Sequence, residues 1–474
     1  MPGDTADAED PTNRSRRRWW LWAGVSVGLL VLVGSAAFAV RLTSRGAGPN
    51  EPTSSAAGTP STSGASNRVS YDKATSAALT HGQCTGEGPV RITTPMPLAQ
   101  VSSVLPYGLM VGGHVTPVDH QYYNGLDPKA VRDTYDVVAP ADGTIVELTH
   151  RGSRTNTPSH SLNVPSSDEY RFVIEHTCSF LTYVDLVTSV DDSIKSQLPA
   201  GWSPDNSRDI SIAVKKGQVI GHIGGQTLDF AVWDLSRPLR GFIVPLAYAN
   251  AEPWKLYTAP TTDYLDDEVK AGAIAKYLRS AEPIDGRLDY DQEGRLIGSW
   301  FLEGTNGYLG GEGHGGQPGY WRGHLSFAPD FLDPATVTIS TGTFSQDFWV
   351  NGNANDPGGS GGSSATQFWV RGNAPDPATV DASTGLVTYE LLQNGAYLRA
   401  DGTRWDGSSL AKGLKAGPGT QPMGVVLVQL LEKHKLRVEF FPGRTAAQVS
   451  GFGSTARIYT RGDDAHEPPP TNTR

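Results

Sequence analysis

Cysteine is nearly absent: Cys84 and Cys178 are the only two in 474 residues. That excludes a disulfide-dense scaffold and a zinc site built from four thiolates. Positive charge is also in deficit. A net charge of −10 gives no basic footprint, so no nucleic-acid partner is expected. Apolar residues (38%) and charged residues (19%) are both scarce for a globular chain, and polar, Gly-rich segments account for much of the shortfall. What is present excludes two further classes. The 11 Trp, 17 Tyr and 14 Phe need cores to sit in, so the chain is not wholly disordered, and 55 Gly with 33 Pro rule out a coiled coil. At ~150 residues per domain the length allows roughly three.

Residues 19–40 (WWLWAGVSVGLLVLVGSAAFAV) carry no charge and are long enough to cross a ~30 Å hydrocarbon core. Arg14, Arg16, Arg17 and Arg18 precede them, which holds the N-terminus inside and sends the bulk of the chain out. The expected architecture is therefore a cytoplasmic tail (1–18), a single-pass transmembrane signal anchor (19–40) in the cell membrane and a flexible stalk (41–68). The rival reading is a signal peptide cleaved after Ala39, with secretion. In either case the redox compartment permits a Cys84–Cys178 disulfide.

The rest reads as mainly β. Short apolar runs alternate with turn residues over 69–260, with strands expected at 136–138, 143–148, 171–175, 181–185, 209–214, 219–223 and 228–233. A connecting helix is expected within 261–283, where Val269, Ala273 and Tyr277 share one face. A second β domain, barrel or sandwich, follows over 284–461, and 462–474 read as a disordered tail. Within the second domain FWVNGNANDP (348–357) is echoed by FWVRGNAPDP (368–377), and DPATVTISTG (333–342) by DPATVDASTG (376–385), which predicts a pair of similar hairpins. The run 424–443 reads as another hairpin, turning through EKHK.

Three landmarks of the first β domain come in a telling order: GGHVTPVDHQYY (112–123), YDVVAPADGTIVEL (135–148) and VKKGQVIGHIGGQTLDFAVWD (214–234). Between the last two lies FVIEHTCSFLTYVDLVTSV (172–190). Over about 100–250 the chain resembles the lysostaphin/LytM-type zinc metallopeptidases, whose duplicated hybrid motif runs through an APADG turn and a GQ-IG strand to an HLH segment. The APADG turn is expected to need Gly143 for a positive φ and Asp142 as a side-chain cap.

In that family the metal is held by an early His, an Asp shortly after it and the second His of HLH. The resemblance thus implies His114, Asp119 and Asp229 as a zinc-ligand set. Here Thr227-Leu228-Asp229 stands in place of HLH, and Asp185 stands where a second supporting His is expected. His120 and Asp185 remain the catalytic candidates. Two carboxylates make zinc a poorer Lewis acid, and the flanking positions offer no imidazole to shuttle a proton. Three readings stay open: an active zinc peptidase, a degenerate site without metal, or other chemistry around His114, Asp119, His120 and Asp229. Strand alternation puts Asp229 on the face opposite Leu228 and Phe230. His176 and His222 are not ligand positions, and Asp234 reads as a turn cap.

The second domain offers no catalytic motif. Glu312 and His314 sit in a Gly-rich loop. The stretch 289–294 (DYDQEG) has the alternating Asp289, Asp291 and Glu293 of a calcium loop, but Trp300 falls where the bidentate Glu is needed. Trp300, Trp321, Trp349, Trp369 and Trp405 are core candidates, or, if aligned and exposed, a glycan platform. The leading expectation is an extracytoplasmic envelope module, non-catalytic, facing cell-wall peptide or glycan. Its alternative is a metal-dependent peptidoglycan endopeptidase.

Overall fold

The computed structural model describes residues 79–462, apart from 81–83, 152–168, 203–209, 311–319, 343–365 and isolated positions. The first domain contributes eleven strands: β1 (Val101–Leu105), β2 (Gln121–Gly125), β3 (Tyr135–Val138), β4 (Gly143–Arg151), β5 (Glu169–Thr177), β6 (Phe180–Val187), β7 (Ser189–Val190), β8 (Ile212–Val214), β9 (Val219–Ile223), β10 (Leu228–Asp234) and β11 (Thr258–Ala259). Eight form one sheet in the order β1-β2-β10-β6-β5-β4-β8, with β11 on β10; β3, β9 and β7 form a second, three-stranded sheet. The central strands β6 and β10 are buried at every position, so both faces of the sheet are covered. One face packs against the small sheet through Val137, Ile145, Phe172, Val184, Ile220, Leu228 and Phe230.

The APADG turn works differently from expectation. Gly143 is absent from the positive-φ residues. Glycine is required there by close approach, since a Cβ would lie 2.8 Å from both the Glu175 carbonyl oxygen and His176 Nδ1. Asp142 does cap, but across the fold: its carboxylate accepts from Lys216 N and Lys215 Nζ, each at 2.9 Å.

The second domain is a closed eight-stranded barrel of β12 (Gly298–Leu302), β13 (His324–Pro329), β14 (Val337–Thr341), β15 (Thr366–Val370), β16 (Val387–Gln393), β19 (Pro422–Glu432), β20 (Lys435–Pro442) and β21 (Arg457–Thr460). A small hairpin, β17 (Ala396–Leu398) with β18 (Lys415–Gly417), stands off it. The repeated hairpin is not formed by the second DPATV copy. In the first copy Thr338 and Ile339 enter β14; at the same places in the second, Asp381 caps a 3-10 turn, Ala382–Thr384, accepting from Ser383 N at 3.0 Å. Aspartate competes for backbone donors and alanine brings no branched side chain to bury, so no strand forms there. The copy at 348–357 lies outside the described residues.

The fold class needs one correction. Among the described residues no helix is long and apolar enough to cross a membrane. The connecting helix Asp267–Lys276, ten residues, spans about 15 Å, half of a ~30 Å hydrocarbon core. Among the described residues the fold is mainly β with an eight-stranded barrel and short helices, and none of these helices is the N-terminal transmembrane helix expected above, whose residues 19–40 lie outside the described residues.

The two domains share cores. Tyr183, Ala231 and Trp233 of the first pack with Phe301 and Tyr308 of the second, and Leu105, Leu109 and Tyr122 pack with Phe331, Leu332 and Trp405. Polar ties accompany them: Tyr107 N donates to Asp285 O at 2.8 Å and Arg279 Nη1 to Phe331 O at 2.6 Å.

Candidate functional site

Strand pairing brings the candidates together. β10 lies between β2 and β6, with Asp229 opposite Tyr122 on one side and Asp185 on the other. Directly opposed residues share a face, so Asp229, Asp185 and Tyr122 lie abreast. Asp119 and His120 immediately precede β2 on the same side, and His114 sits in the β1–β2 loop, where its backbone N–H donates to Val111 O at 2.9 Å. The rings of His114 and His120 lie 5.5 Å apart. His120 Nδ1 is 3.1 Å from Asp119 Oδ1, and its Nε2 is 3.0 Å from the Tyr122 hydroxyl and 3.5 Å from Asp229 Oδ2.

The surroundings are those of a closed polar core. His114, Asp119, His120 and Asp229 are between 5% and 7% exposed. The sheet face that carries them is the one covered by the barrel. A Cβ on Gly113, beside His114, would meet the Trp321 ring at 3.3 Å, so indole and backbone are in close contact.

A cation already belongs to the site. Lys255, 2% exposed, places Nζ 3.5 Å from Asp119 Oδ1 and 3.5 Å from Glu252 Oε2, with the Tyr308 ring of the barrel 5.2 Å beneath it. Trp254 Nε1 donates to Asp119 Oδ2 at 2.8 Å. Both oxygens of Asp119 are thus taken up by donors of the protein. Asp185 is likewise engaged: Arg171 Nε donates to its Oδ2 at 2.7 Å and Leu186 N to its Oδ1 at 2.8 Å.

The protonation states follow. Burial would raise the Asp119 carboxyl, but the Lys255 ammonium and His120 together hold it well below the usual carboxylate range. Burial opposes charge on His120, yet Asp229 and Asp119 outweigh it and raise its pKa, favouring the imidazolium. His114 is pushed well below the ordinary value by burial first, then by His120 and Lys255. A cationic His120 and a strongly depressed His114 are both weak general bases near neutral pH.

The zinc set implied by the resemblance fits this arrangement poorly. A divalent ion shared by His114, Asp119 and Asp229 would have to displace the donors on Asp119 and stand beside an ammonium. Among the described residues no group of three or more His, Cys, Asp and Glu side chains could hold a metal ion. In the second domain the DYDQEG carboxylates diverge: Asp289 Oδ2 accepts from Gly241 N, Asp291 Oδ1 from Ser299 N, and Glu293 meets His434 Nε2 at 3.2 Å. Trp300, Trp369 and Trp405 are 0%, 2% and 5% exposed, which removes them from any exposed aromatic row; Trp349 lies outside the described residues. Cys84 and Cys178 are joined as a disulfide.

Sequence reasoning did not single out Lys255, Trp254, Glu252 or Arg171. The one available signal for Lys255 was its place as a lone cation in an aromatic run, PWKLY.

Buried histidines also predict an acid response. His324 Nε2 donates to Tyr308 O at 3.0 Å, and burial pushes its pKa down to about 3. Between ~6.5 and that value the unfolded chain binds the proton and the folded chain does not, so stability falls as pH falls, by up to ~1.4 kcal/mol per unit. His114 acts with the same sign. His120, raised, acts oppositely: its contribution is present at low pH and is lost as pH rises through its folded value. The buried Asp291 carboxyl, raised to about 6 by burial, also acts oppositely to His324 over this range, so the His324 share is read as a difference: between pH 7 and pH 5 the change in urea-unfolding stability of the wild type, compared with that of His324→Gln, should be shifted toward loss at pH 5.

No family model and no curated protein matches the chain, so the likeness to lysostaphin/LytM-type peptidases rests on the motifs within 112–234.

Proposed function

We propose that the chain is an extracytoplasmic binding or scaffold module of the cell envelope, in which a peptidase-like centre has become a structural polar core. The observation that carries this reading is the Lys255–Asp119 pair, buried beneath the barrel. A hydrolytic metal centre needs open coordination positions and access for its substrate. Here an ammonium takes the cation's role, both Asp119 oxygens are occupied, and the second domain covers the face. The Cys84–Cys178 disulfide supports an oxidising compartment.

The test is incubation of the full chain with cross-linked cell-wall fragments and added zinc. Retention of the fragments without cleavage is expected. Cleavage that is abolished in His114→Ala would overturn the reading in favour of an endopeptidase.

A further inference from the structure

A second concavity lies on the other side of the 108–111 segment from the polar core, where the first domain meets the barrel and the β17–β18 hairpin. It is a partly open cavity of about 210 Å³. Residues 108–111 of the first domain form one wall, and Phe331, Trp369, Tyr397 and Trp405 bring aromatic surface to the others. The rings brace one another: the Tyr397 centroid is 5.4 Å from Trp369, 5.9 Å from Phe331 and 6.4 Å from Trp405. An engineered apolar cavity of ~150 Å³ accommodates benzene; this one has room for a single ring-sized group.

Two lining residues leave polar atoms unsatisfied. Thr338 is 3% exposed, and neither its Oγ1 nor Asn394 Oδ1 has a hydrogen-bond partner, though both atoms are buried. Such atoms cost free energy unless something completes them. An amide oxygen asks for an O–H or N–H donor; a threonine hydroxyl can give or accept.

The remaining charges narrow the occupant. Asp330, 4% exposed, already accepts from the Tyr397 hydroxyl at 2.7 Å, Leu332 N at 3.0 Å and Asp333 N at 2.9 Å. With three hydrogen bonds already accepted it is a poor counter-ion for a ligand cation, and exposed Arg404 on the lining adds positive charge. A ligand anion would meet the Asp330 carboxyl. What remains is a neutral group with apolar faces and hydroxyl or amide donors around its edge.

We propose that this interdomain pocket binds one neutral pyranose ring, with its C–H faces against the aromatic walls and its donors on Asn394 Oδ1 and Thr338 Oγ1, which turn from their buried positions toward the cavity when it is filled. Pockets at domain junctions with mostly apolar walls and few polar groups are the usual form of small-molecule sites. The inference rests on the reading of the chain as a binding module and names its ligand class. It differs from a surface platform of tryptophans, because the rings here wall a cavity.

The experiment is saturation-transfer NMR and calorimetry on the full chain with glucose, galactose, N-acetylglucosamine and their methyl glycosides, with tetramethylammonium and inorganic phosphate as charged probes. Saturable binding of at least one sugar is expected, weakened about tenfold or more by Asn394→Ala and by Thr338→Val. Thr338→Val removes an unsatisfied hydroxyl at nearly constant volume, so its unfolding transition should lie at or above the wild type's, which separates lost binding from lost folding. No saturable binding by any sugar, sugar binding indifferent to both substitutions, or preference for a charged probe would each overturn the proposal. The closed polar core is tested separately, through cleavage and metal content, so the two readings fail independently.

Discussion

Lys255→Met is expected to lower stability by about 3–5 kcal/mol, the cost of leaving a buried charge without its partner. The substitution keeps most of the apolar stem but removes the ammonium beside Tyr308 and strands the Asp119 carboxylate, which the ammonium and His120 hold ionised in the interior. Chemical unfolding of wild type and variant measures the loss. Adding Asp119→Asn to Lys255→Met should restore part of it, because the neutral amide no longer needs the cation. A double-mutant cycle reads that coupling directly. If Lys255→Met costs well under ~1 kcal/mol, as for a surface ion pair, the ammonium is not the charge that stabilises the site.

The second large effect concerns the disulfide. Cys84 and Cys178 are separated by 94 residues in sequence. In the chain-entropy account, closing a loop of that length stabilises the fold by about 4–5 kcal/mol, and removal of native disulfides commonly costs 2–5. The bridge ties the segment before β1 to the β5–β6 turn, where Cys178 N donates to Gly86 O at 3.0 Å and Thr177 Oγ1 to Gly88 O at 2.7 Å. Replacing both cysteines by serine should therefore lower the unfolding midpoint substantially. Amide exchange should rise first in residues 84–90, while the barrel keeps its protection. Equal loss of protection in the barrel would mean that the bridge supports the whole molecule and not this local tie.

Much of the first domain could be read from local pattern. The strands at β3, β4, β5, β9 and β10 are apolar runs bounded by Gly, Pro and Asp, and pattern alone is enough where a strand is buried on both faces. The edge region escaped. β1 (VSSVL) and β2 (QYYNG) mix polarity because their polar side chains find partners within the fold: Asn124 Nδ2 donates to Ser103 Oγ on the neighbouring strand at 3.1 Å, and buried Gln121 exchanges hydrogen bonds with distant Asp285 and Tyr277 at 3.0 and 3.1 Å. Partners roughly 160 residues away leave no local trace. The DPATV echo misled for the opposite reason. The local similarity is real, but two substitutions, Asp381 and Ala382, turn a strand into a capped turn.

The site was legible in membership and not in state. Alternation placed Asp229 opposite Leu228 and Phe230, and the register does set it beside Asp185 and Tyr122. What that face meets is another domain, and sequence pattern carries no information about which surfaces of two domains pack. The cation at the centre comes from the segment after β10, outside every motif that drew attention to the site. Gly143 likewise was identified as indispensable for a turn conformation, whereas the demand comes from the β5 backbone passing 2.8 Å from where its Cβ would be.

The most direct test of the central claim, that a lysine ammonium and not a metal neutralises this polar core, is the metal content of the full chain purified from zinc-supplemented medium, measured by mass spectrometry beside Asp229→Ala. The account predicts zinc far below one equivalent per chain and no difference between the two proteins. A full equivalent in the wild type that disappears in Asp229→Ala would contradict it.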